Sequence, residues 1–352
     1  MLPPLHKLLL LSCLAWPLFA RADSASLLAQ AQVADPPRYA FALAKGAEIR
    51  HTSDNKSFTM WWQPSSTAAP KGVIVPLHGH AGWATDGIAL WQPYAEKYGY
   101  AILSLQWWFG GGEATSDYYT PDEIYPILSS RLGEKAVKPG TVFFNGFSRG
   151  SANSYAVAAL DAAASGRRYF GLVLSNAGGA QLGYPPNQQI DAGYFGQLPF
   201  KGVNWAMYCG ELDPEPAMNG CVGMMASKNW VMKHGATMVL FIDDPTGGHG
   251  GFMLNSANVE LALSTYATVL AVTTNAEADC LFNWGEDHYP VDFVPRRSAS
   301  LASTPYYFRY YATTQVYLGV SSADNHLYHL DARGVMTDLG LAATWSAQAG
   351  CR

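Results

Sequence analysis

The sequence predicts an α/β protein: a doubly wound, mostly parallel sheet, followed by a small β-rich unit stapled by a disulfide. Three observations carry the expectation. From about residue 58 to residue 272, short apolar runs bounded by turn residues alternate with stretches of helical spacing. That alternation stops near 275–279, and short β-prone runs bracketed by two cysteines follow. Midway, the pentapeptide Gly146-Phe147-Ser148-Arg149-Gly150 stands between an apolar run and an Ala-rich one. Strands separated by helices need crossover connections, and crossovers make parallel neighbours.

Residues 1–22 carry His6 and Lys7, a mostly apolar run to Phe19, and Ala20-Arg21-Ala22. This is the pattern of a secretory signal, with cleavage expected after Ala22. The run is short for a bilayer span. A lipoprotein signal at Leu11-Ser12-Cys13 is disfavoured, because few apolar residues separate Lys7 from Ser12. Residues 23–44, Ala-rich around Pro36-Pro37, read as a leader. Strands are expected at 58–62, 72–77, 101–105, 141–145, 171–175, 203–208 and 236–242, because each is a compact apolar run. Helices are expected at 86–98, 121–132, 149–164, 222–234 and 255–272. Pro121 opens the second, and Gly235 stops the fourth. The main domain is thus expected over 45–275. A β-rich unit is expected over 280–352, with strands at 306–311, 316–320 and 326–330.

Composition limits the function. Hydrophobic residues make up 49% of the 352, which excludes a disordered chain. Charged residues make up 14%, against roughly 25% in ordinary soluble domains. Surface polarity then falls to Ser, Thr, Asn, Gln and Tyr, which suits an exported protein. The net charge is −5, and loss of Lys7 and Arg21 with the signal leaves 20 basic against 27 acidic side chains. No basic stripe remains for a nucleic acid, and no later stretch reads as a membrane span. Four cysteines outlast the signal: Cys209, Cys221, Cys280 and Cys351. An even count in an exported chain suggests two disulfides. Of three pairings, Cys209–Cys221 and Cys280–Cys351 are favoured, because each closes within one unit. No CxxC spacing supports a metal site instead.

The pentapeptide has the strand-before, helix-after setting of a nucleophile elbow, where the serine occupies a tight turn. An alkyl alcohol needs a base to take its proton. His249 fits, set among Gly247, Gly248, Gly250 and Gly251 just past the last strand. Asp213 follows the strand at 203–208 and is the expected carboxylate, because the order Ser, Asp, His suits this arrangement. Its rivals are Glu211, Asp243 and Asp244, the latter two sitting close before His249. After the strand at 72–77 comes His78-Gly79-His80-Ala81-Gly82, a turn able to aim a backbone N–H at a substrate oxygen. Oxyanion donors are therefore expected from His80, with Ala81 as the alternative, and from Arg149. The His80 side chain is expected to pack. His78 and His80 lack further ligands at metal-binding spacing, and neither a metal nor a cofactor is expected.

Together the turn at 78–82, the serine pentapeptide, Gly210-Glu211-Leu212-Asp213 and the His249 glycines resemble the α/β-hydrolase superfamily over about residues 45 to 272. Within it the chain is similar to secreted esterases of the polyhydroxyalkanoate-depolymerase and feruloyl-esterase kind, although Phe147 and Arg149 stand where those relatives often carry small residues. The resemblance implies a secreted serine carboxylic-ester hydrolase acting through an acyl-enzyme. A peptidase or amidase with the same triad, or a catalytically dead binding protein, are the other classes compatible with the chain. Trp83, Trp107 and Trp108 follow strands that feed the carboxyl edge of the sheet, where ligands bind in such folds. They would line an aromatic pocket for a bulky or polymeric ester, or fill the core. The C-terminal unit is similar to an accessory module of assorted exported bacterial proteins. Its Tyr306, Tyr307, Tyr310, Tyr311 and Trp345 would bind a polymer or simply pack a small core.

Overall fold

A computed structural model describes residues 23–66, 69–164, 168–285, 299–300, 306–311 and 314–351. The expected signal at 1–22, with Cys13 and the cleavage after Ala22, lies outside them. The stretch expected as a leader consists of two helices, α1 (Ser24–Ala34) and α2 (Pro36–Ala44). Asp23 and Asp35 cap them, accepting from the backbone N–H groups of Ser26 and Arg38. Leu27, Ala31 and Ala42 are fully buried, and Arg38 Nη1 reaches Asp86 Oδ1 at 2.7 Å. The leader is therefore part of the packed fold.

There follow β1 (Glu48–His51), β2 (Phe58–Trp62), β3 (Val73–Leu77), α3 (Ala84–Tyr98), β4 (Ala101–Leu105) and α4 (Pro121–Glu134). Next come β5 (Val142–Phe147), α5 (Arg149–Ala163), β6 (Phe170–Asn176), α6 (Pro185–Asp191), β7 (Asn204–Gly210), α7 (Cys221–Lys233), β8 (Thr237–Asp244), α8 (Gly251–Leu254) and α9 (Ser256–Gly285). The eight strands form one sheet in the order β1-β2-β4-β3-β5-β6-β7-β8. The β1–β2 and β2–β4 pairs are antiparallel, and the remaining pairs are parallel. This is the doubly wound, mostly parallel sheet expected from the sequence.

Both faces of the sheet are covered, which explains the unbroken apolar runs. Val73, Val75, Leu77 and Phe144 pack with Leu128 of α4, Tyr155 of α5 and Trp230 of α7. Ile74, Ile102 and Phe143 point the other way, toward Leu27, Ile88, Trp91 and Tyr266. Each such side chain, fully buried, contributes about 1.5–3 kcal/mol. β4 and β5 flank β3 on opposite sides, so the connections reverse direction there. A crevice opens at such a switch point, outside the carboxyl ends of the strands.

The last helix of the main sheet was expected to stop at 272, yet α9 continues to Gly285 through the expected boundary at 275–279. Its interior holds neither Pro nor Gly to stop it, and its end has a partner. Ala278, Leu281 and Phe282 are buried against a second sheet. That sheet comprises β9 (Ala299–Ser300), β10 (Tyr306–Tyr311), β11 (Val316–Ser321), β12 (His326–Leu330) and β13 (Met336–Leu341), antiparallel in the order β13-β12-β11-β10-β9. A short helix, α10 (Ala342–Ala349), follows. β13 and α10 leave little trace in the residue pattern, because Asp338 and Gly340 break the apolar alternation of β13. Strand alternation divides the tyrosines. Tyr311 is fully buried and Tyr307 packs beside it, with Trp345 against Trp284. Tyr306 and Tyr310 occupy the opposite phase of β10. Disulfides join Cys209 to Cys221 and Cys280 to Cys351, the favoured pairing. Among the described residues no helix is long and apolar enough to cross a membrane.

Candidate active site

Ser148 stands between the end of β5 and the start of α5 with φ 54° and ψ −118°. This is a left-handed backbone that an L-residue adopts at a cost of about 1–3 kcal/mol. The surroundings enforce it. The Ser148 N–H donates to the Asn176 carbonyl of β6, and the Ser148 carbonyl accepts from the Ala152 N–H. The flanking glycines have a steric reason. A Cβ on Gly146 would lie 2.5 Å from the Gly150 carbonyl oxygen, and one on Gly150 would lie 2.3 Å from that of Leu77. Helix, elbow and β3 thus touch backbone to backbone, and the serine hydroxyl is held clear of the sheet.

His249, on the loop after β8, accepts from the Ser148 hydroxyl through Nε2 at 2.8 Å. Its Nδ1–H donates to Asp213 Oδ2 at 2.7 Å. The Asp213 side chain is fully enclosed, while that of His249 is one third exposed. The second carboxylate oxygen of Asp213 accepts from the Glu215 N–H at 2.9 Å, which fixes its orientation. Phe147 packs against the imidazole with ring centroids 5.2 Å apart. The structure therefore brings together the serine, histidine and aspartate singled out from the sequence. The rival acids lie elsewhere. Asp244 is buried and accepts from Asn258, from the Thr246 N–H and from the Thr246 hydroxyl. Burial pushes its carboxyl up, but those hydrogen bonds outweigh it and leave it below the usual range. Asp243 lies beside the Cys209–Cys221 disulfide, and Glu211 is exposed.

The turn at 78–82 lies directly over the elbow, since a Cβ on Gly79 would sit 3.2 Å from Ser148 Cβ. His78 anchors the turn from below. It is buried, its Nδ1–H donates to the Gly79 carbonyl, and its Nε2 accepts from the Trp107 N–H. Burial pushes this imidazole down to about 4, so it is neutral. The carboxamide of Gln106, also buried, accepts from the Ala84 N–H and donates to the Trp108 carbonyl, tying the turn to the loop after β4. Ala81 gives its N–H to the Tyr118 hydroxyl at 3.2 Å. Among the described residues the backbone N–H groups of His80 and Arg149 meet no acceptor. The His80 ring does not pack inward. It is half exposed, with Nε2 2.7 Å from Glu113 Oε1.

A cleft of about 370 Å³ opens beside Ser148. Its walls come from the loop after β4 (Trp107, Tyr118, Tyr119), the first turn of α5 (Arg149, Asn153) and the loops after β6 and β7 (Gln181, Tyr184, Met218, Asn219). Of the expected aromatic trio only Trp107 lines it. Trp83 and Trp108 pack on each other edge to face, 5.3 Å apart, and the Trp108 indole donates to the Gly112 carbonyl. Packing between the loops after β3 and β4 turns them off the cleft. Tyr118, Asn153, Tyr184, Met218 and Asn219 stand outside the residues expected from the sequence. Tyr118 is the one with a signal, because it follows the same aromatic-rich loop. The metal-like grouping of Cys209, Cys221 and Asp243 is a disulfide beside an exposed acid.

Comparison of the sequence with protein-family models and with curated proteins found no match. Among solved structures the chain is similar to esterase LipW from Mycobacterium marinum, with 14% identity, 71% of this chain and 91% of that one covered, and a TM-score of 0.49. It is similar to a bacterial heroin esterase, with 15% identity, 71% and 93% covered, and a TM-score of 0.48. An esterase from Rhizomucor miehei gives 11% identity, 69% and 89% covered, and a TM-score of 0.48.

Proposed function

We propose that this chain is a serine carboxylic-ester hydrolase working through an acyl-enzyme. The observation that carries the proposal is the continuous pair of hydrogen bonds from Ser148 through His249 to Asp213, at the mouth of a cleft. In the first half-reaction His249 Nε2 takes the Ser148 proton while Oγ attacks the ester carbonyl. The oxyanion that forms is stabilised by the N–H groups of His80 and Arg149. His249 then gives the proton to the departing alcohol, leaving the acyl group on Ser148. In the second half-reaction His249 takes a proton from water while the hydroxide attacks the acyl carbonyl, then returns that proton to Ser148 Oγ as the acid leaves. Asp213 keeps the proton of the neutral ring on Nδ1 and stabilises the imidazolium, without itself becoming protonated.

The cleft is open and aromatic on one wall, which supports a bulky or aromatic ester over a small one. The disulfides support an exported protein. A panel of nitrophenyl, bulky aromatic and polyester substrates tests the reading with wild type, Ser148→Ala and Asp213→Asn. Turnover is expected to fall about 10⁶-fold in the first variant and about 10⁴-fold in the second. Undiminished hydrolysis by Ser148→Ala would overturn the reading. Cleavage of short nitrophenyl esters alone would overturn the bulky-substrate part.

A further inference from the structure

We propose that the cleft beside Ser148 selects esters carrying a carboxylate, which the Arg149 guanidinium receives. The inference rests on the hydrolase reading and adds the substrate class.

Among the described residues, Arg149 is the one charged side chain in the cleft lining; its neighbours there are all uncharged. Its guanidinium is fixed rather than floating. Cζ lies 4.1 Å from the centroid of the Tyr118 ring, and Nη2 donates to the Glu113 carbonyl at 2.9 Å. Stacking on an aromatic face and a backbone hydrogen bond define one orientation. A guanidinium has five N–H donors, and this one spends a single one on the protein. The nearest carboxylate, that of Glu113, stays 4.0 Å from Nη1, outside hydrogen-bonding distance, and makes its close contact with His80 instead. The remaining donors match the fork of a carboxylate.

The position gives this preference mechanistic weight. Arg149 follows the nucleophile directly, and the two side chains line the same cleft. Beside it in the cleft lining, Tyr184 donates its hydroxyl to Asn153 Oδ1, and Asn153 in turn donates to the Arg149 carbonyl. This chain of bonds ties the loop after β6 to the start of the helix that carries Arg149. The chain's overall charge is negative, so a preference for anions must come from this local donor and not from the general field.

Two matched pairs of chromogenic esters test the proposal. One pair differs by a carboxylate on the acyl chain: a nitrophenyl hemiglutarate against the neutral valerate. The other differs by a carboxylate on the alcohol: the butyrate ester of a hydroxybenzoic acid against that of its methyl ester. The readout is the ratio of kcat/KM, charged over neutral, within each pair, which cancels any general loss of activity. Wild type is expected to favour the charged member at least tenfold in one pair, and that pair identifies which side of the ester the cleft holds. Arg149→Gln should bring the ratio near unity, and Arg149→Lys should restore part of it. Ratios at or below unity in both pairs for wild type would overturn the proposal. So would a ratio unchanged in Arg149→Gln, as expected if the arginine merely pins the loop carrying Glu113. If wild type hydrolyses neither member of either pair, the hydrolase reading fails and takes this proposal with it.

Discussion

At the scale of single residues, two buried ionisable groups near the sheet set opposite responses to acid. His78 is enclosed beneath the turn at 78–82, and burial, only partly offset by the Gly79 carbonyl, pushes its imidazole from 6.5 down to about 4. Between those values the unfolded chain binds a proton that the folded chain refuses. The stability from this site is complete above pH 6.5 and is lost as pH falls through 4, an amount of about 3 kcal/mol. Asp161 runs the other way. Burial raises its carboxyl from 3.8 to about 6, against the hydrogen bonds from Phe170, Tyr169 and Tyr125. Its folded form takes up the proton first, so the fold gains from this site as pH falls between 6 and 3.8. Replacing His78 by Asn keeps a donor near the Gly79 carbonyl and removes the charge. The fall of Tm between pH 6.5 and 4.5 should flatten in His78→Asn. An unchanged slope would show that burial of His78 does not govern acid sensitivity. Residue identity was readable where backbone context dictates it. Ser148 needs glycines on both sides, and Asp213 and His249 follow strand ends in an order the elbow demands. The role of the Arg149 side chain was not readable, because its direction depends on Glu113 and Tyr118, more than thirty positions away. Trp83 and Trp108 misled for the same reason, since nothing in a linear sequence says that two indoles will satisfy each other.

At the scale of elements, the loop from 210 to 220 carries Asp213 near its start and Met218 and Asn219 near its end, and so contributes to both the hydrogen-bonded relay and the cleft. The Cys209–Cys221 disulfide closes that loop, with a sequence separation of 12. Cross-linking a loop of this length stabilises by about 3 kcal/mol through the unfolded chain. It also holds the loop between the end of β7 and the start of α7. The double variant Cys209→Ser/Cys221→Ser should therefore lose about 3 kcal/mol in urea unfolding and should also lose turnover, because Asp213 is no longer held at a fixed distance from His249. Reduced stability with wild-type kcat would show that the hydrogen bond from Glu215 positions Asp213 unaided. Short strands buried on both faces were legible almost to the residue, since such strands read as continuous apolar runs. The tail of α9 was not, because residues 273–279 hold no large apolar side chain and their helical state depends on a partner sheet that begins some twenty residues later. α1 and α2 escaped for a related reason, since their burial depends on Asp86 and on a sheet not yet formed in the chain order.

At the scale of the whole molecule, the C-terminal sheet and the cleft are separate features on one frame, because no described residue beyond 219 lines the cleft. The Cys280–Cys351 disulfide spans 71 positions, and a loop of that length corresponds to about 4 kcal/mol. Cys280→Ser/Cys351→Ser should lower the unfolding midpoint while leaving kcat/KM on a small ester at its wild-type value. A parallel loss of activity would mean that the C-terminal sheet supports the site through α9. The fold's larger consequence is convergence: a hydroxyl from the end of β5, a carboxylate from beyond β7 and an imidazole from beyond β8 meet at one rim of the sheet. The most direct test is reaction of the folded protein with a fluorophosphonate, followed by intact mass and peptide mapping. A single adduct on Ser148 is expected, formed in step with loss of esterase activity and absent from His249→Ala. No adduct on the folded wild type, or labelling equally fast without the imidazole, would contradict the relay on which the proposed chemistry depends.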